Sequence, residues 1–224
     1  MHNKKNLIVL VDESKSPVKI HFATDDFELL LRIFDQFDGE TQINFVPHGF
    51  KEQLESIGFF TWGEYVDFFN KNLAKTYIEC KSYYDIEFLK KNECNVASSV
   101  SKSCAGKSRG FTGETKEWFF DWIDENDVII VRENNVIVGF CCVAIYNNGT
   151  TLWIREIAVH PKFQGAGLGK KLLEQAICYG INKSAVRGFL AADVQNDNAI
   201  EMYKKYGFIP KYEESELQMR RYGK

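Results

Sequence analysis

With 224 residues, 45 % of them hydrophobic and 26 % charged, the chain holds enough apolar material for one large domain or two small ones and lacks the bias of a disordered segment. Its 28 Lys plus Arg stand against 31 Asp plus Glu, a net charge of -3, which argues against a sequence-independent nucleic-acid binder, since that needs a basic surface to displace counterions. No stretch approaches the roughly 20 apolar residues of a membrane span, and the apolar run at 7–11 is too brief for a signal segment, so a cytoplasmic protein with no membrane partner is expected.

In chain order, residues 1–75 offer a strand at Val18 to Phe22, a helix at Asp26 to Phe37, a strand at Gln42 to Val46, a helix at Phe50 to Ser56 and a strand at Phe59 to Val66. Thr76 to Tyr83 reads as a strand, and Ile86, Leu89 and Cys94 give helical spacing to Tyr84 to Val100. The Ser/Gly/Lys-rich stretch 101–113 reads as a loop. Thr112 or Thr115 caps the next helix, whose apolar face is Trp118, Phe119, Trp122 and Ile123.

An antiparallel meander follows. Strands Asp127 to Arg132, Val136 to Tyr146 and Thr151 to Val159 are joined by turns at Glu133-Asn134-Asn135 and Asn147-Asn148-Gly149. A helix opens around Gly167 with the stripe Leu168, Leu172, Leu173, Ala176 and Ile177 and ends near Gly180. Gly188 to Val194 is a strand, Asn198 to Tyr206 a helix stopped by Gly207, and Tyr212 to Arg220 a last strand. The six cysteines form no C-x-x-C pair and no Cys/His cluster with zinc spacing, so no metal is expected and the thiols are read as buried and apolar.

Gln164-Gly165-Ala166-Gly167-Leu168-Gly169 lies between the strand ending at Val159 and its helix. Glycines let main chain approach a ligand closely, and the helix aims unpaired N–H groups and the positive end of its dipole at the loop, an arrangement that holds phosphate. A dinucleotide fingerprint would need glycine where Lys170 stands, and a nucleotide P-loop fails at Gln164 and Lys171.

What remains is Gln164-x-x-Gly167-x-Gly169 after Ile157-Ala158-Val159-His160-Pro161. A second block recurs downstream: Leu190-Ala191-Ala192-Asp193-Val194-Gln195-Asn196, then Ala199-Ile200-x-x-Tyr203-x-x-x-Gly207-Phe208. Together they resemble the acetyl-CoA signature of the GNAT superfamily of N-acetyltransferases. The resemblance covers about residues 76–224. It implies the GNAT fold, an α/β (α+β) arrangement with a mixed, mostly antiparallel sheet flanked by helices, and leaves residues 1–75 as an accessory segment. Phe50-Lys51-x-x-Leu54-x-x-x-Gly58-Phe59 echoes the spacing of the second block, so that segment is read either as a degenerate GNAT-like half or as an unrelated α/β unit in which a helix ends on a glycine.

The implied activity is transfer of acetyl from acetyl-CoA, as cosubstrate, to a primary amine by direct attack in a ternary complex. The implied coenzyme-binding residues are Ile157, Ala158 and Val159 through main chain, Gln164, Gly165, Ala166, Gly167, Leu168, Gly169 and Lys170 around the diphosphate, and Asn196. Glu156 is the candidate base, with a structural pairing to Arg155 or Arg132 as its other reading and Asp193 as the competing base; Tyr203 matches the tyrosine that protonates the departing thiolate. A small-molecule amine is the expected acceptor on charge and aromatic content. A homodimer is left open, and so is a non-catalytic acetyl-CoA sensor or interaction module.

Overall fold

The computed structural model describes residues 7–13, 16–24, 26–76, 86–109, 111–212 and 215–223. Two compact units divide it: residues 1–65 with 214–224, and residues 66–213. The sequence reading drew its line after residue 75 and kept the last strand with the second unit. In the structure that strand folds with the first.

The first unit contains β1 (Ile8–Asp12), β2 (Val18–Ala23), α1 (Phe27–Phe34), β3 (Thr41–Val46), α2 (Lys51–Ser56), the start of β4 (Phe60–Asn70) and β11 (Glu216–Arg221). Its strand order is β1-β2-β3-β11-β4. The Asp26 carboxylate accepts the Glu28 and Leu29 N–H groups and so fixes where α1 begins. Ile20, Leu30, Phe34, Ile43, Leu54, Leu217 and Met219 close the core. The echo noted above is one of helix-end geometry: Phe59 N–H reaches Leu54 C=O and Phe208 N–H reaches Tyr203 C=O, each at 3.1 Å, past a glycine with positive φ.

The second unit runs β5 (Glu87–Phe88), α3 (Cys94–Ser103), α4 (Lys116–Glu125), β6 (Asp127–Glu133), β7 (Val136–Tyr146), β8 (Thr151–Val159), α5 (Leu168–Asn182), β9 (Arg187–Asp193), α6 (Asp197–Lys205) and β10 (Ile209–Pro210). The strands lie in the order β4-β9-β8-β7-β6-β5, with β10 also on β4. Most pairs are antiparallel; β8 and β9 run parallel, as the crossover through α5 requires. The turns at Asn134-Asn135 and Asn147-Asn148 all take positive φ, which is why asparagine stands there. Thr115, of the two threonines considered, caps α4 by accepting the Trp118 N–H.

Each face of this sheet carries its own core. One holds Cys141, Leu152, Ile154, Leu172, Leu173, Ile177, Ile200 and Tyr203 against α5 and α6. The other holds Cys142, Phe140, Ala158, Ala97, Val100 and Phe119 against α3 and α4.

Two expectations change, and a third falls outside the described residues. The helix read over Tyr84 to Val100 begins only at Cys94, because Ile86 and Phe88 pack on the first core and Leu89 on the second, a strand's alternation; Glu87 and Phe88 pair with Ile130 and Ile129. Residues 77–83 of the strand expected at Thr76 to Tyr83 lie outside the described residues. Cys178 is disulfide-bonded, whereas Cys94, Cys104, Cys141 and Cys142 are free buried thiols.

Among the described residues no helix is long and apolar enough to cross a membrane, and no group of three or more His, Cys, Asp or Glu could hold a metal ion.

The loop between α3 and α4 folds back tightly. At Gly113, φ is +82° and an added Cβ would stand 2.7 Å from the Lys102 Cα and 2.8 Å from its nitrogen. Gly113→Ala is therefore expected to cost more than the roughly 1–2 kcal/mol of left-handed strain alone, read as a lowered Tm.

Candidate active site

β7 and β8 pair residue for residue from Gly139 opposite Val159 to Cys142 opposite Glu156, after which the register slips so that Val143 faces Ile154. Arg155 is the extra residue of a β-bulge. Trp153 and Arg155 point toward α4, where Trp153 meets Trp122 and Arg155 lies over the Trp118 ring at 4.1 Å. Alternation alone would turn Glu156 to the opposite face. The bulge keeps it on the same one, where Ser101 of α3 donates to its Oε1 at 3.1 Å.

β8 and β9 stay paired only from Thr151 with Arg187 to Ile154 with Leu190. Beyond that point they part. His160 N–H bonds Val138 C=O, so alternation pairs Ala158 and Glu156 with β7 and turns the main-chain groups of Ile157 and Val159 toward the space β9 has left. Val159 C=O accepts the Gln164 side-chain amide at 2.8 Å and the Cys104 thiol at 3.3 Å. Ile157 N–H, Ile157 C=O and Val159 N–H have no ladder partner. Ala158, expected to offer its backbone, instead spends it on Phe140.

Past β8, Gly165 and Gly167 have φ of +83° and +79°, and a Cβ added at 165, 167 or 169 would meet nothing within 4 Å. Gly167 is the N-cap of α5, and Lys171 N–H to Gly167 C=O is its first bond. The N–H groups of Leu168, Gly169 and Lys170 therefore have no intrahelical acceptor and face open space. Lys170 reaches Glu174 at 3.8 Å, a solvated pair one turn along the helix.

Glu156 is the most perturbed carboxylate of the site. Burial pushes it up to about 7; Arg155 opposes the rise, Glu114 adds to it, and hydrogen bonds from Ser101 and Arg155 pull it back. Arg155 bonds Glu114 at 2.7 Å and Glu156 at 3.2 Å, so one guanidinium serves two carboxylates. The Ser101 hydroxyl accepts the Glu114 N–H at 2.9 Å while donating to Glu156. Arg132, the other partner considered, is engaged by Glu87 and Glu93 instead. Ser101 escaped sequence reasoning because a lone serine on a helix carries no signal of a contact 55 residues away.

Asp193 is spoken for. Arg109 donates its main-chain N–H, Nε and Nη2 to it, and the Gln195 N–H donates as well. Burial alone would raise this carboxyl, but those bonds outweigh it and hold Asp193 below the usual carboxylate range.

Tyr203 stands on the other face of the sheet, its ring beside Phe68 and Phe208. Burial, reinforced by the Cys141 thiol, pushes its phenol well above its ordinary value. Cys141, whose thiol acts on Tyr203, is the register partner of Ile157. Glu156 and Tyr203 thus flank the parted strands from opposite sides. Asn196 caps α6 by accepting the Ala199 N–H at 3.3 Å. His160, to which no role was assigned, accepts the Lys162 N–H. A groove of about 870 Å³ between α5 and α6 is lined by Lys170, Glu174, Asn198, Glu201, Met202, Lys205 and Tyr206.

Residues 99–208 match the model of the acetyltransferase (GNAT) family, which contains the parted strands, the glycine loop and the second sequence block. The domain at residues 99–208 belongs to the GNAT acetyltransferase family. An uncharacterized N-acetyltransferase of Methanocaldococcus jannaschii is 35 % identical over 102 residues, 42 % of this chain and 45 % of that one. A Bacillus subtilis protein provisionally named ribosomal protein bS18-alanine N-acetyltransferase is 29 % identical over 99 residues, 43 % of this chain and 64 % of the relative. The GNAT chain therefore spans less than two thirds of both relatives. The crystal structure of a GCN5-related N-acetyltransferase from Sphaerobacter thermophilus superposes with a TM-score of 0.70 at 13 % identity, covering 97 % of this chain and 77 % of that one, a likeness of fold.

Proposed function

We propose that this GNAT protein transfers an acetyl group from acetyl-CoA to a primary amine by direct attack within a ternary complex. The observation that carries the reading is the gap beyond Ile154 and Leu190, with main chain free of a ladder partner on one lip, the N-terminus of α5 beyond it, and Glu156 and Tyr203 on opposite faces of the sheet. The N–H groups of Leu168, Gly169 and Lys170 hold the diphosphate of the cosubstrate, and the glycines keep side chains out of its way. Ile157 C=O and Val159 N–H are offered to the pantetheine amides as an added strand would offer them. Ile157 N–H, next after the bulge, serves the oxyanion as the tetrahedral centre forms, a donor worth roughly 3 kcal/mol in other acyl-transfer enzymes.

An alkyl ammonium with pKa about 10.4 must lose its proton before it can attack. Glu156, half ionised near neutral pH, takes that proton directly or through water. The nitrogen then adds to the thioester carbonyl and the C–S bond breaks. Tyr203, kept protonated by burial, gives its proton to the departing thiolate, and the second proton lost by the nitrogen as the amide forms returns the phenol to its neutral state. Asp193 has no place in this scheme, since every donor around it favours a fixed anion.

Tyr203→Phe keeps the ring against Phe68 and Phe208 and removes only the hydroxyl. It is expected to lower thiol release from acetyl-CoA on the order of 10²-fold with coenzyme binding intact. Tight coenzyme binding without turnover on any amine, unaltered by this variant, would establish the sensor reading instead. For the acceptor, the two carboxylates around Arg155 and the indoles of Trp118, Trp122 and Trp153 favour a small cationic amine. The Bacillus relative's name makes a protein α-amine the second reading. Rates on small amines and on peptides with a free N-terminal alanine separate the two.

A further inference from the structure

We propose that Arg109 is a positioning residue: it straps the loop between α3 and α4 across the gap between β8 and β9, and so fixes where the acceptor amine enters. The inference rests on the acetyl-transfer reading. Where the two strands stop pairing, no ladder bond holds their C-terminal ends at a set distance. One stretch of chain takes over that task. Cys104, at the end of α3, donates its thiol to Val159 C=O at the end of β8, at 3.3 Å. Five residues on, Arg109 meets Asp193 at the end of β9, with its main-chain N–H at 2.7 Å, Nη2 at 2.7 Å and Nε at 3.2 Å from both oxygens.

The Asp193 side chain is 2 % exposed, so the anchor cannot trade its partner for water; the Arg109 side chain, at 29 %, reaches it from the rim. A planar fork with a main-chain donor beside it fixes the angle of the loop as well as its position, which a lysine cannot do.

The same loop ends at Glu114, whose N–H is held by Ser101 and whose carboxylate holds Arg155 beside Glu156. Slack at Arg109 therefore reaches the neighbours of the base directly, whereas the glycine loop meets this stretch only through Val159 C=O, which Gln164 holds at the shorter distance. The expected fault lies on the acceptor side alone.

The test compares wild type with Arg109→Met, which keeps the stem and loses the fork, and with Arg109→Lys, which keeps the charge. Acetyl-CoA dissociation constants are measured by calorimetry. Steady-state constants are measured with the best acceptor from a panel of small primary amines and alanine-terminated peptides. Hydrogen exchange is followed for residues 104–113 in the free proteins. Arg109→Met is expected to raise the acceptor KM, lowering kcat/KM on the order of 10²-fold, with the acetyl-CoA constant unmoved, the loop amides exchanging faster and Arg109→Lys in between. A merely stabilising pair would lower Tm and leave the acceptor KM alone. Unchanged loop exchange in Arg109→Met overturns the strap whatever the activity. Wild type that fails to bind acetyl-CoA, with the loop loosened as expected, overturns the acetyl-transfer reading and not the strap. Should the Met variant not fold, the Lys variant carries the same comparison.

Discussion

Glu156→Gln is expected to slow acetyl transfer by roughly 10²- to 10⁴-fold, the usual worth of a positioned base, with acetyl-CoA affinity retained. The pH profile makes the assignment specific. With Glu156 raised to about 7, log kcat/KM in wild type climbs with unit slope below that pH and bends there. An ionising alkyl amine alone would bend the curve near its own pKa of about 10. In the glutamine variant the bend near 7 disappears and the amine's limb remains. A variant that keeps the wild-type profile would move the base elsewhere.

Stability carries the opposite sign. A carboxyl whose pKa is raised by folding favours the native state below its unfolded value and loses that contribution as pH rises to the folded one. Between the ordinary carboxyl value of 4.5 and about 7, wild type is expected to lose on the order of 3 kcal/mol that the glutamine variant does not lose. Thermal melts of both proteins across that window check it. The same substitution that removes activity thus raises relative stability above pH 7, as expected of a site that holds a destabilised group for use.

Gly167→Val is expected to abolish acetyl-CoA binding while leaving the fold. A Cβ there meets nothing within 4 Å, so the protein itself presents no clash. The backbone, at φ +79°, resists a side chain by roughly 1–2 kcal/mol, more for a branched one, which a 15-residue helix with a buried stripe tolerates. What the valine fills is the space in front of the Leu168, Gly169 and Lys170 amides. Calorimetry with acetyl-CoA beside a circular-dichroism melt separates lost affinity from lost structure. Undiminished affinity would place the diphosphate somewhere other than this corner.

Much of this architecture is legible in the chain. β7 and β8 match their expected limits to the residue, because apolar runs adjoin asparagines and a glycine that accept positive φ. The start of α3 was not legible. Ile86, Leu89 and Cys94 share a helical spacing by coincidence, and only their burial on opposite faces of a sheet distinguishes a strand end from a helix.

Glu156 and Tyr203 were named as candidates from their positions in and beside the two sequence blocks, yet the reason they lie on opposite faces of the sheet was hidden. It depends on the extra residue at Arg155, a matter of register with β7 that no local pattern records. The bond between Arg109 and Asp193 spans 84 positions and was missed because no local pattern records it either, although Asp193 had been named as the competing base. The last strand was recognised but placed with the wrong neighbours, since its partners, β3 and β4, are the better part of the chain away.

That placement bears on how the polypeptide matures. Residues 66–213 form one uninterrupted stretch and can condense as they leave the ribosome, whereas β3 and β4 await β11, a partner made long after both of them. The portion translated first is thus the last to reach its finished form, and until then its two waiting strand edges stand bare in the cell.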